Sequence, residues 1–215
     1  FWNFTPLSNV FPASGIIAGN YKGIQYFNFQ NNSFTPSIPI PDFNETSRFV
    51  SVDRNGNFWI SHPYHGIYRI SKSNNGSFKS ELYDDKKGLP MTINNHIYTI
   101  RNQVIAATEN GIYEYNATTN SFKPDQFYTN LLGSKSIRYI KEDKKGNLWF
   151  IHEKSLGVID FSEKKPKVIL LENLHKKMLS GFEFIYPIDQ HNVLLGAEEG
   201  FYHINEFNPN SNYHL

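Results

Sequence analysis

Five short runs recur along the 215-residue chain, each a glycine followed by an apolar residue and an amphipathic stretch: GIQYF from Gly23, GIYRI from Gly66, GIYEY from Gly111, GVIDF from Gly157 and GFYHI from Gly200. The intervals between the glycines are 43, 45, 46 and 43 residues. So regular a spacing marks one supersecondary unit written repeatedly. Each glycine follows a β-rich run, at 15–19, 57–61, 103–107, 147–151 and 192–196. A second alternating run lies upstream, at 48–52, 96–100, 137–141 and 182–188. A poorer strand lies downstream, at 33–38, 77–83, 121–128 and 167–171. The unit therefore reads as four strands, A to D, joined by turns. Four antiparallel strands in about 40–45 residues is the period of a β-propeller blade, which buries both of its faces only by stacking on its neighbours.

The expectation is an all-β chain, a single domain over 1–215, built of about five four-stranded blades near 8–40, 48–83, 96–128, 137–171 and 182–206. Two forms fit this pattern: a closed five-bladed ring, or a fragment of a larger, seven-bladed propeller. A closed ring predicts a monomer in solution, and an open arc predicts association through its edges. The opening FWNFT (1–5) is expected to be a closing D strand paired with the last blade, or the D strand of a preceding blade, with a short A strand following at 8–12. Such a closing strand would remove two exposed edges at once. A turn or two of helix fits ENLHKKML at 172–179.

Local chemistry agrees. DRNGN (53–57) and DKKGN (143–147) place a glycine where a tight A–B hairpin needs positive φ. Trp59 and Trp149 follow in mid-strand, where a large ring fills the space between blades. With 16% aromatic and only 19% charged residues and a net charge of +1, the chain lacks the basic footprint of a nucleic-acid binder. It has no cysteine, which excludes disulfides and thiolate metal sites. No apolar run reaches the ~18 residues of a membrane span, so no membrane contact is expected of this segment. The chain starts at Phe1 without a leader, so it is expected to be a piece of something longer whose signal or anchor lies elsewhere.

The stretch FKSELYDDKKGLPMTINNHIYTI (78–100) resembles the unit of the two-component-regulator propeller: an aromatic D strand, a GLP turn, then the next A strand. VDRNGNFWISHPYHGIYRI (52–70) and EDKKGNLWFIHEKSLGVIDF (142–161) resemble its Asp-x-x-Gly-Asn-x-Trp core. The first unit has PASG in place of that turn, the third shortens it to RNQ, and the fifth reads DQHN; the second GLP-like site reads LLGSKS (131–136). The resemblance implies a periplasmic sensor region of a membrane-anchored histidine kinase or hybrid two-component regulator, in which paired seven-bladed propellers precede a β-sandwich and a transmembrane helix. It implies an oligosaccharide as ligand, and neighbouring propeller and sandwich domains of the parent sensor, or a second copy in a homodimer, as partners. Kinase activity would belong to the parent. The main alternative is an interaction module that shapes a receptor dimer and binds no small ligand; GNLWF (146–150) also resembles repeats of the streptogramin-lyase-like propellers, which keeps a propeller lyase or hydrolase as the enzymatic alternative.

Ligands of propellers meet the face that carries the B–C and D–A loops. The B–C tips differ from blade to blade, as recognition requires. Tyr21 and Tyr64 are candidates to stack on a sugar ring; Glu109, Asn110, His152, Glu153, Lys154, Glu198 and Glu199, with His62 and His65, are candidates to bond hydroxyls. No catalytic set is expected: there is no nucleophile elbow, P-loop or dinucleotide fingerprint, and nothing fixes a carboxylate pair at glycosidase spacing. No cofactor and no metal are expected, because His62 and His152 sit two blades apart while zinc needs three or four converging ligands.

Overall fold

Alternating apolar residues and turn signals build five successive antiparallel sheets, the blades of a β-propeller. The computed structural model describes residues 2–7, 15–37, 40–208 and 213. Sheet 1 holds β1 (Phe4–Pro6), β2 (Gly15–Asn20), β3 (Gly23–Gln30) and β4 (Ser33–Pro36). Sheet 2 holds β5 (Phe49–Val52), β6 (Phe58–His62), β7 (Gly66–Lys72) and β8 (Phe78–Tyr83). Sheet 3 holds β9 (His96–Ile100), β10 (Gln103–Thr108), β11 (Gly111–Asn116) and β12 (Ser121–Pro124). Sheet 4 holds β13 (Ile137–Glu142), β14 (Leu148–His152), β15 (Ser155–Asp160) and β16 (Lys167–Leu171). Sheet 5 has three strands, β17 (Ile185–Pro187), β18 (Val193–Ala197) and β19 (Gly200–Ile204). Contacts divide the chain into two compact units, 1–108 with 112–125, and 109–111 with 126–215.

Within the first unit, sheet 1 meets sheet 2 through Ile17, Ile24, Val50, Ile60 and Ile70. Sheet 2 meets sheet 3 through Trp59, Ile67, Tyr83, Ile97, Val104 and Phe122. Within the second unit, Trp149, Ile151, Leu156 and Val158 of sheet 4 meet Ile185, Leu195 and Tyr202 of sheet 5. In each case one side of a sheet packs on the opposite side of the next.

The Asp-x-x-Gly-Asn-x-Trp stretch is a hydrogen-bonded unit as well as a hairpin. Asp53 Oδ1 accepts from the backbone N–H of Asn55 and Asn57, at 2.9 and 3.0 Å. Its Oδ2 accepts from Asn57 Nδ2 and from Trp59 Nε1, both at 2.9 Å. Asp143 repeats the pattern with Lys145, Asn147 and Trp149. Gly56 and Gly146 supply φ of 78° and 85°. The GLP turn works similarly. Asp84 caps a short 3-10 turn over Asp85–Lys87, and Gly88 ends it at φ 90°. Leu89 then plugs the core between sheets 2 and 3.

The structure corrects two expectations, for the opening segment and for the strand at 121–128. The opening segment does not add a D strand to the last blade; Phe4–Pro6 pairs with β2 as the first strand of sheet 1, Phe4 opposite Ala18. The expected A strand at 8–12 lies outside the described residues. The strand expected over 121–128 stops at Pro124, and helix α1 (Gln126–Leu132) follows. Pro124 cannot donate to a sheet ladder, Tyr128 and Leu132 bury one helical face, and Gly133 closes the helix at φ 69° with its N–H on Thr129 O at 2.9 Å. Gly157 differs from the other anchors in that it lies within β15, opposite Phe150. A Cβ there would sit 2.3 Å from the Phe150 ring, which covers this position.

A polar cluster bridges sheets 2 and 3. Glu81 accepts from Lys87 and from Asn120 Nδ2 (2.8 Å), and the Tyr83 hydroxyl donates to Glu81 at 3.1 Å. These donors, Lys87 foremost, hold the Glu81 carboxyl down at about 2. Its folded value lies below the ordinary 4.5, so its contribution to stability is complete above pH 4.5 and disappears as pH falls toward 2. Water screens this partly exposed group, so Glu81→Gln is expected to cost about 1 kcal/mol at pH 7. Urea titrations should show that difference shrinking between pH 4.5 and pH 2; a gap independent of pH over that window would contradict the assignment.

Candidate functional site

The anchor glycines explain how the loop face is built. Gly23 and Gly66 adopt φ of 113° and 102°. A Cβ on them would lie 2.4 Å from Phe43 O and 2.3 Å from Tyr83 O. In sheets 1 and 2 the D–A connection thus presses its backbone onto the start of strand C, where only glycine fits. This brings the D–A links of these two sheets against the B–C tips.

In the first unit, the link at 43–47 joins two tips. Ser47 N–H donates to Asn20 O at 2.9 Å, and Thr46 Oγ1 donates to Tyr21 O at 3.3 Å. On the other side, Glu45 Oε2 lies 3.5 Å from His62 Nε2 and 3.9 Å from His65 Nδ1. The rim therefore assembles Tyr21, Glu45, His62, Tyr64 and His65. Tyr21 and Tyr64 are 70% and 72% exposed, so their rings are open to solvent. Tyr21 meets Trp2 edge-on at 5.1 Å. His62 is buried.

His62 Nδ1 accepts the backbone N–H of Tyr64 and of His65, both at 3.0 Å. Its proton is thus on Nε2, facing Glu45. Burial, then the neighbouring His65, hold its pKa below the ordinary 6.5 against the opposing pull of Glu45. Burial, with Glu45 beside it, raises the Tyr68 hydroxyl. Glu45, His62 and His65 have ligand atoms within 4.8 Å of one another, a spacing open to a cation. Their orientation does not suit one. The two imidazoles stack at 4.1 Å and 3°, so a cation in the plane of one ring lies off the plane of the other. The two N–H groups on Nδ1 also keep the His62 proton on the nitrogen that would ligate.

The second unit repeats the plan. The link at 175–177 lies against two tips: Lys176 N–H donates to Lys154 O at 3.0 Å, and Glu198 N–H donates to Lys177 O at 3.4 Å. Ser155 Oγ bonds His175 Nδ1 at 2.9 Å. Glu153 is exposed and turns the chain at φ 54°. Lys154, Glu198 and Glu199 are exposed, as is Asn110, while Glu109 is half-buried. His152 occupies the place of His62, three residues after the tryptophan, yet its Nδ1 donates to Ser136 O at 2.9 Å. The two histidines therefore carry opposite tautomers when neutral.

So the structure brings Tyr21, His62, Tyr64 and His65 to one rim, and Lys154, Glu198 and Glu199 to the other link. Sequence reasoning missed Glu45 and His175. Both lie in D–A links, whose only signal was their place on the same face as the B–C tips.

No protein-family profile matches the chain, and no curated protein matches it. Solved structures do. The extracellular domain of a B. thetaiotaomicron protein described as a hybrid two component system is similar over 99% of this chain, with a TM-score of 0.65 and 18% identity. A second such domain from the same organism gives 0.57 and 16% over 94%. In both, this chain spans 27% of the other's length. A virginiamycin B lyase from Staphylococcus aureus gives 0.51 and 12%, over 94% of this chain and 69% of the enzyme. At these identities the likeness is one of fold: a β-propeller.

Proposed function

We propose that this chain is an extracytoplasmic recognition propeller of a two-component sensor, that it is not itself an enzyme, and that its ligand is a carbohydrate. The observation that carries the reading is the end-to-end likeness to extracellular domains of two-component proteins, at a higher TM-score than the lyase. The rim supports it. Two solvent-open tyrosines flank a carboxylate and two imidazoles, which suits a pyranose ring: its apolar face stacks on an aromatic side chain and its hydroxyls bond the polar groups. His62 Nδ1 is taken up by two backbone N–H groups, which fits a recognition residue better than a general base working through that nitrogen.

A thermal-melt screen against oligosaccharides tests this. A ligand at a hundredfold excess over Kd adds about 2.7 kcal/mol, or roughly 5–10 °C in Tm for a domain of this size. Tyr64→Ala should leave the unliganded melt unchanged, because Tyr64 is 72% exposed, and should abolish the ligand's shift. A shift that survives Tyr64→Ala moves recognition away from this rim. No shift across neutral, acidic and amino sugars counts against carbohydrate sensing.

A further inference from the structure

Strand B ends on Asn20 in sheet 1, on His62 in sheet 2 and on His152 in sheet 4, three equivalent positions at the root of a B–C tip. Asn20 Oδ1 accepts the backbone N–H of Lys22 at 2.7 Å. His62 Nδ1 plays the same part for Tyr64 and His65, at 3.0 Å each. His152 Nδ1 carries a proton instead and donates it to Ser136 O at 2.9 Å. Of the three, only His62 folds its tip through a lone pair that a proton can occupy.

The surroundings of His62 fix where that proton goes. Nε2 already carries one and faces Glu45 Oε2 at 3.5 Å. A second proton therefore adds at Nδ1, among the two backbone N–H groups. Both hydrogen bonds are then lost, and three donors point at one another. The neighbours of the ring pull in different directions. Glu45, in the link, favours the imidazolium, and His65, stacked at 4.1 Å and 3°, opposes it. Tyr68 on β7 and Tyr64 of the tip bring phenol rings to 6.1 and 6.2 Å. Arg48 and His96 line the cleft that His62 borders, and neither adds negative charge. Burial outweighs Glu45, so the folded ring titrates below the ordinary 6.5. Stability tied to the closed tip is thus complete above pH 6.5 and declines as pH falls below it.

We propose that His62 is an acid-sensitive latch on the rim: when its ring takes up a proton at Nδ1, the backbone of Tyr64 and His65 is released, and two side chains of the candidate site lose their placement. The tip of sheet 1, latched by the Asn20 amide, stays closed in the same acid. The latch does not depend on what the rim binds.

NMR of the full chain between about pH 7.5 and about pH 4.5 tests it. The backbone amide signals of Tyr64 and His65 should move with the midpoint of the His62 ring, below pH 6.5. Their protection from hydrogen exchange, corrected for its intrinsic pH dependence, should fall by about tenfold, as expected for the loss of an ordinary hydrogen bond. The Lys22 amide is the internal control and should not follow. His62→Asn puts an amide oxygen where sheet 1 has one; it should keep Tyr64 and His65 protected and remove their titration. His65→Gln should leave the titration at Tyr64 in place with its midpoint raised, because the opposing neighbour is gone. A His62 ring that titrates while both amides stay still overturns the latch. So does a ring that remains neutral down to about pH 4.5, or amides that follow His65 rather than His62, or amides that titrate as before in His62→Asn. Should that variant not fold, the wild-type titration decides alone, since ring and amides either share a midpoint or do not.

Discussion

Trp59→Ala is expected to destabilise the chain by about 3–5 kcal/mol, the range for removing a fully buried aromatic side chain. The indole is completely buried, with ring centroids of Tyr115 at 4.7 Å, Tyr83 at 5.4 Å and Phe122 at 6.0 Å. The Arg69 guanidinium carbon lies 5.7 Å from its ring centroid. Alanine would leave a cavity that three aromatic rings from two sheets cannot collapse into. It would also remove one of the four donors that satisfy the buried Asp53 carboxylate. Trp59→Phe separates the two effects: most of the ring volume stays and the donor is lost, for a cost of about 1–3 kcal/mol. Urea unfolding of both variants checks the order. Equal losses would mean that the Asp53 bond dominates; a loss below about 1 kcal/mol for alanine would sink the packing account.

Gly88→Ala is expected to cost about 2–5 kcal/mol, as the sum of a left-handed backbone penalty and overpacking. Gly88 sits at φ 90°, and a Cβ there would lie 2.0 Å from Phe122 O, a backbone atom that moves only if β12 moves. Gly76 is the control. It has φ 85° and nothing within 4 Å of a Cβ, so Gly76→Ala should cost only the backbone penalty, about 1 kcal/mol. The difference between the two urea midpoints measures the close approach of the GLP turn to sheet 3. If the two variants lose the same amount, that approach carries no energy.

Much of the architecture was legible because the blade repeats both its period and its turn chemistry. β9, β16 and β19 fall on the runs that alternation marked, at 96–100, 167–171 and 200–204. Alternation failed where a short apolar pattern served two periods. SFKPDQFY alternates well enough for a strand, yet the proline ends the ladder and the following residues have the i, i+4 spacing of Tyr128 and Leu132. Gly157 was read by analogy with the other anchors. It is a glycine for another reason, room for the Phe150 ring, and strand C of that blade begins two residues before it, at Ser155. In the candidate site, the B–C tips stood out because their positions are fixed by the repeat. Glu45 did not, because it lies in a link without periodicity and gains its place only when the backbone of that link settles over Gly23. Spacing could show the shared form of Asp53 and Asp143, but only coordinates show that each carboxylate binds the tryptophan six residues on.

The D–A links bear on how such a rim can diversify. The residues at 45–47 bond the tip at Asn20–Tyr21 and approach the tip at His62–His65, and 176–177 do the same for Lys154 and Glu198. A change of length or charge in one link therefore reaches two neighbouring tips at once, whereas a change at an exposed tip residue such as Tyr64 stays local. Variation along this edge has two grain sizes: single side chains that adjust one contact, and links that reset adjacent contacts together. Novelty in recognition can arise in coupled pairs without disturbing the strands beneath.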